Sequence, residues 1–201
     1  LSELGVLSVV ASGNAGDVVD IGGSPGNARS SLTVANSVSS TQTYDAVEIV
    51  SAADPGLVGT YPGQNTLAYV GTADVTAPVV YLGATVDGCT SLADRSAEIT
   101  GKIVWLFWDD NASTRACGSG ARWNNAAAAG AAGVLIGTTD AVFTYGISGG
   151  AAIPGAMLTA TATSTLMPEI MAGTLTAHVG PSLANAAFVT DPSLADSLNA
   201  S

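Results

Sequence analysis

Few side chains in this sequence could do the work of an active site, and their spacing decides what each could do. Gly22-Gly23-Ser24-Pro25-Gly26 fits G-x-S-x-G, the pattern in which a sharp strand-to-helix turn lifts a serine nucleophile. That geometry needs a strand before the serine, a helix after it, and an acid and a histidine further on. Here Pro25 follows the serine and a loop leads into the strand-like SLTVAN, so chance in a Gly/Ser-rich segment is the better account. His178 is the single histidine, and a Ser-His pair could use no other base. Ester hydrolysis by Ser24 and His178 is the activity such a pair would give. The alternating run Leu175–Val179 instead gives His178 a structural role on a strand near an edge. Asp109-Asp110-Asn111 offers oxygens of the kind that suit Ca²⁺, without the glycine and distal glutamate of an EF-hand loop. A solvated loop after the strand Ile103–Trp108 explains them better. Asn14 ends the apolar run Val6–Ala11 and reads, on its own, as a turn residue closing a buried strand.

Cys89 and Cys117 lie 28 positions apart, outside any CxxC or Cys/His cluster, so no zinc site is expected. No residue is assigned to a metal or a cofactor, and no cofactor is expected. The two cysteines are either two buried thiols or one bridge. Few charges and abundant Thr, Ser and Gly read as an exported protein, where a bridge persists. Closing that loop would contribute about 3–4 kcal/mol through loop-closure entropy. Trp105, Trp108 and Trp123 could form a binding surface, although aromatics more often fill cores. Asn111-Ala112-Ser113 and Asn199-Ala200-Ser201 are N-glycan acceptor patterns. Ala/Gly/Asp-heavy, lysine-poor usage points to a bacterium, where no glycan is expected.

The elements that must hold these residues come from a chain of 201 residues with formal net charge −11. That length can bury roughly 70% of its unfolded surface. Lys102 and four arginines are its only cations, which excludes the basic patches that nucleic acid or anionic membranes require. No stretch reaches the roughly 18 uninterrupted apolar residues of a membrane span. The first residue is Leu1 rather than Met, consistent with an excised domain. Short runs bounded by Gly, Pro and Asp predict strands at 46–52, 67–70, 79–82, 102–108, 133–138, 156–158 and 175–179. Two helices are predicted. SGARWNNAAAAGAA covers 119–132, and 161–172 follows, capped by Thr161 or Thr163 and stopped by Gly173, with Leu166, Ile170 and Met171 on one side and Pro168 in the first turns.

Two resemblances follow from ordered motifs. GVLSVVASGNAG (5–16) with SPGNARSSLTVANSV (24–38) resembles the segment of subtilisin-like serine proteases that carries the oxyanion-hole asparagine. By that resemblance Asn14 would donate its amide to the oxyanion of acyl transfer. ITGKIVWLFWDD (99–110), RACGSGARWNNAAAAGAAGVLIGTTD (115–140) and AAIPGAMLTATATSTLM (151–167) resemble the PA domain, over about 70–179. This second resemblance implies a Cys89–Cys117 disulfide, because many members carry the partner cysteine at that place. It also implies a binding and gating module that contacts substrates or partners, or restricts access to a cleft. Some subtilases carry a PA domain between the oxyanion-hole asparagine and the nucleophile, and DPSLADSLNAS (191–201) resembles the stretch just before that nucleophile.

Together these readings predict a mainly β fold with two short helices (α+β), a PA-type β-barrel-like domain plus flanking segments of a subtilase α/β domain. Residues 1–40 would be the subtilase segment, 41–181 the PA domain with its core at about 70–180, and 182–201 the return segment. The parent would be a secreted or cell-surface serine endopeptidase of bacterial origin, with the Asp, His and Ser of its triad outside this chain, which alone would be inactive. The alternative is a stand-alone PA-like interaction or surface-binding module. Implied partners are protein or peptide substrates and the rest of the subtilase domain, with no nucleic acid and no membrane insertion. The exposed subtilase strands would dock onto the PA domain, swap or dimerise.

Overall fold

A computed structural model describes residues 4–11, 27–34, 39–140, 143 and 146–192. Asn14, the Gly22–Gly26 motif with Ser24, and Asn199 lie outside the described residues. The chain divides into two compact units, 1–42 with 189–201, and 43–188.

In the first unit, β1 (Ser8–Ala11) and β2 (Ser31–Val34) form a two-stranded parallel sheet in register from Ser8↔Ser31 to Ala11↔Val34. Its apolar side chains are not covered. Val9 is 59% exposed, Leu32 51% and Val34 52%.

The second unit is a closed barrel. Its elements in chain order are β3 (Thr41–Ser51), β4 (Gly59–Asn65), β5 (Val75–Tyr81), α1 (Ser96–Ile99), β6 (Ile103–Trp105), α2 (Ser119–Ala128), β7 (Gly133–Gly137), β8 (Gly155–Leu158), α3 (Ala160–Ala172), β9 (Thr176–Val179) and β10 (Ala187–Thr190). The sheet runs β10-β3-β4-β8-β7-β6-β5-β9, and β9 pairs back onto β3, closing a seven-stranded ring with β10 beside β3. Strands β5, β6, β7 and β8 are mutually parallel, β4 and β9 pair antiparallel with β8 and β5, and β3 pairs antiparallel with both β4 and β9.

Strands β6, β7 and β8 read as unbroken apolar runs because both their faces are buried. Ile103 and Trp105 of β6, Leu135 of β7, and Ala156 and Leu158 of β8 enter one core with Leu166 and Ile170 of α3. The alternate residues Val104, Val134, Ile136 and Met157 enter a second core beneath Trp123 and Ala126 of α2. One period-2 pattern thus serves two cores. The alanines of α2 let the helix lie close to the strands. Gly130 (φ +89°) makes the turn out of it, and a side chain there would meet Thr100.

The mainly β barrel agrees with the sequence reading, with differences in detail. A third helix, the single turn α1, was not expected. β4 was missed because its sequence, GTYPGQN, has no strand signature. Pro62 is tolerated because β8 pairs with β4 only from Gly63 onward. The predicted strand 67–70 is loop, with Leu67 75% and Val70 84% exposed. α3 begins earlier than predicted, and its N-cap is Thr159, whose hydroxyl accepts from the Ala162 N–H. Pro168 therefore sits in mid-helix rather than the first turns, and Met171 faces outward. Gly173 stops the helix in the left-handed conformation at φ 70°, as expected. His178 lies on β9 between β3 and β5, so it is not near a sheet edge. Among the described residues, no helix is long and apolar enough to cross a membrane.

Candidate functional site

The carboxyl ends of β6, β7 and β8 open into a cleft of about 440 Å³, the kind of place where parallel strands present loops to ligands. Its walls come from the loop after β6 (Trp108, Asp110, Ala112, Arg115), the start of α2 (Gly118, Ser119), the loop after β7 (Thr138, Asp140, Phe143), the segment 146–148, and Met157. The aromatic wall is braced by Tyr44, whose ring meets Phe143 edge-on at 5.1 Å between centroids.

Asp110 ties two of these loops together rather than standing in solvent. Its Oδ1 accepts from Trp108 Nε1 (3.0 Å) and Thr138 Oγ1 (2.9 Å), and its Oδ2 from the Thr139 N–H and hydroxyl (2.7 Å each). Burial alone would raise its pKa, but these four donors outweigh burial and hold the carboxyl below its ordinary value. Asp109 is likewise held low by the Thr114 hydroxyl and the Asn111 N–H. The Asp-Asp-Asn segment is thus the surface loop expected, with its carboxylates held by hydrogen bonds. Among the described residues, no three His, Cys, Asp or Glu side chains gather to hold a metal ion.

Two arginines that the sequence reading did not single out shape this end of the barrel. Arg115 stacks on Trp108, 4.1 Å from the ring centroid, and donates from Nε to the Asp109 carbonyl (2.5 Å) and from Nη2 to the Asp110 carbonyl (2.7 Å). Arg122 on α2 is 1% exposed and also approaches Trp108, at 5.1 Å. It donates from Nη1 to the carbonyls of Asp87 (2.6 Å) and Phe107 (2.5 Å), and more distantly from Nε and Nη2 to Cys117 (3.4 and 3.3 Å). Burial pushes its pKa down, opposed by Asp87. Cys117 is bonded to Cys89, with Cα atoms 5.7 Å apart, so a disulfide and a buried cation anchor the same loops. Arg122 was findable, since Ser119, Arg122, Trp123 and Ala126 share the buried face of one helix. Of the three tryptophans, Trp105 and Trp123 are core and Trp108 lines the cleft.

His178 stands apart from the cleft residues. Its Nδ1 meets Glu48 Oε2 at 2.8 Å and its Nε2 lies 3.5 Å from Asp74 Oδ2, with Glu48 on β3 and Asp74 just before β5. Asp74 also accepts from the Ser182 N–H (3.1 Å). The two carboxylates flank the imidazole as a clasp and link β9 to β3 and to the residue that leads into β5. A smaller hollow of about 290 Å³ lies around Asp45, Asn65 and Tyr69, where the Asn65 N–H donates to Asp45 (2.8 Å).

Comparison with known proteins places this geometry. The PA domain family matches residues 75–166. Similar solved structures include an aminopeptidase from Aneurinibacillus sp. strain AM-1, at 18% identity and TM-score 0.48 over 69% of this chain and 31% of that one. A zinc aminopeptidase from Bacillus subtilis is 17% identical, with TM-score 0.46 over 79% of this chain and 34% of that one. The psychrophilic subtilisin-like protease Apa1 from Pseudoalteromonas sp. AS-11 is 16% identical, with TM-score 0.47 over 96% of this chain and 52% of that one. The chain therefore spans between about a third and a half of the length of these structures. No curated protein matches. The barrel with its cleft, its Cys89–Cys117 bridge and its alanine-rich helix α2 carries a PA domain.

Proposed function

We propose that this chain is the PA-bearing part of a secreted subtilisin-like serine endopeptidase, in which the PA domain binds protein or peptide partners and limits access to the catalytic cleft. The observation that carries the reading is the parallel pair β1–β2. Parallel strands occur almost only in sheets covered by helices on both faces, yet Val9, Leu32 and Val34 are each more than half exposed. Such a pair is stable as part of a larger sheet, and Asn14 follows β1 by three residues, where the subtilase resemblance puts the oxyanion donor. The disulfide suits an oxidising compartment outside the cell.

The test is to express the chain with the coding sequence that flanks it and assay cleavage of a fluorogenic peptide. The extended protein should be active, a serine-directed inhibitor should label a residue outside 1–201, and Asn14→Ala should lower kcat by about 10²–10³ with KM little changed. Flanking sequence without Asp, His and Ser motifs, or an unchanged kcat in Asn14→Ala, would leave the stand-alone binding module as the better reading. Ester hydrolysis by the isolated chain that disappears in Ser24→Ala would refute both.

A further inference from the structure

Arg115 is the feature of the cleft that its own fold leaves unfinished. Acidic residues outnumber cations 16 to 5 in this chain, yet two of the five cations, Arg115 and Arg122, stand against the same indole, Trp108. Arg122 spends its donors on backbone carbonyls and is buried. Arg115 does not. Its Nε and Nη2 edge is fixed by the carbonyls of Asp109 and Asp110, and its face is fixed by Trp108. No bond within the described residues takes up Nη1. Three restraints thus hold a guanidinium at the wall of the cleft with one donor pair left over, so little ordering entropy remains to be lost on binding.

The surroundings narrow what that donor pair accepts. The neighbouring carboxylate of Asp110 is already saturated by four protein donors, so it does not compete for Arg115. Asp110 and Asp140, both in the cleft wall, still disfavour a dianion such as phosphate. A single carboxylate meets both conditions. Phe143, Ile147 and Met157 supply an apolar wall in the same cleft, whose volume lies in the roughly 300–1,000 Å³ range of small-ligand sites. Resting on the reading of this barrel as a binding unit, we infer that the cleft binds the carboxyl-terminal residue of a peptide with an apolar side chain. The terminal carboxylate pairs with Arg115 Nη1, and the side chain lies against Phe143, Ile147 and Met157.

The experiment is calorimetric titration of the whole chain with N-acetyl-Ala-Ala-Leu as its free acid, the same peptide as its amide, and 4-methylpentanoate. The acid should bind at least about tenfold more tightly than the amide, the loss expected when a charge-assisted hydrogen bond is removed. It should also bind more tightly than 4-methylpentanoate, which has the carboxylate and apolar end without the peptide. Arg115→Gln should abolish the preference for acid over amide, and Arg115→Lys should restore part of it. Equal binding of acid and amide overturns the carboxylate pairing, equal binding of 4-methylpentanoate overturns the peptide assignment, and binding of none of the three overturns the site. The first comparison uses the native chain, so it stands even if a variant misfolds. None of these results bears on the flanking triad, so the protease reading fails or stands separately.

Discussion

Replacing Arg122 with methionine keeps most of the side chain's length and removes all of its own donors to the carbonyls of Asp87, Phe107 and Cys117, while the bond from Asn125 Nδ2 to the Gly88 carbonyl remains. The carbonyls of Asp87 and Phe107 lose short bonds to a charged group and the carbonyl of Cys117 loses two longer ones. A bond to a charged group contributes about 1.5–3 kcal/mol, and removing one side of a buried charged arrangement costs about 3–5 kcal/mol. Phe107 is 47% exposed, so water can reach part of what is orphaned, and relief from burying a guanidinium recovers some of the rest. The expected net loss is about 3 kcal/mol. For a unit spanning 43–188, that lowers Tm by about 6–12 °C. All three tryptophans, Trp105, Trp108 and Trp123, lie in this unit, so thermal melting followed by tryptophan fluorescence reports on it alone. Arg122→Lys should recover less than half of the loss, because a point ammonium cannot reach carbonyls on three separate segments. Arg95→Met, which removes only the exposed pair with Glu98, is the control and should melt with the native protein. A melting temperature for Arg122→Met within about 2 °C of native, or Arg122→Lys melting like native, would refute the claim that this cation staples the loops.

Reducing the Cys89–Cys117 bridge releases a loop of sequence separation 28 and should destabilise by about 3–4 kcal/mol, seen as a Tm lower by about 7–14 °C in reductant. An unchanged melt would mean the arginine staple suffices without the bridge. Gly155→Ala puts a Cβ 2.3 Å from the Val134 carbonyl and 2.7 Å from Trp123, with no flexible end to move away from the backbone. Overpacking of that kind should cost about 2–3 kcal/mol by urea denaturation, and a neutral substitution would show that α2 can lift off the strands. Asp74 is held below its ordinary pKa by the hydroxyl and N–H of Ser182, with His178 assisting against burial. The unfolded chain therefore takes up this proton first as pH falls. The stabilisation is whole above the ordinary carboxylate range and is lost as pH drops through it toward the folded value. Between about pH 6 and pH 3 the Tm of Asp74→Asn should fall less than that of the native chain, and equal falls would remove Asp74 from the clasp.

What could be seen in the sequence follows how local each element is. β6, β7 and β8 were legible because each is buried on both faces, so their residues are apolar whatever their partners. α2 and α3 were legible from alanine content and from Gly173, properties of the helix itself. β4 was not legible, since GTYPGQN becomes a strand only because β3 and β8 lie on either side of it. The run 67–70 is the converse case, apolar and yet left as loop without pairing. The same distinction explains the site. Trp108, Asp110 and Arg115 lie within eight positions, but what makes them a cleft wall comes from Thr138 and Thr139 after the neighbouring strand β7 and from Arg122, which reaches back to residues 87 and 107. A charged side chain in an alanine-rich helix looks solvent-facing until the carbonyls of Asp87 and Phe107, from two distant loops, are found around it. The cleft at this end of the barrel is thus assembled by contacts between segments, so substitutions that break Arg122 or the disulfide should weaken the proposed peptide binding along with stability. Arg115→Gln, whose hydrogen bonds and ring stacking among the described residues lie within its own loop, should weaken the proposed peptide binding with little change in Tm.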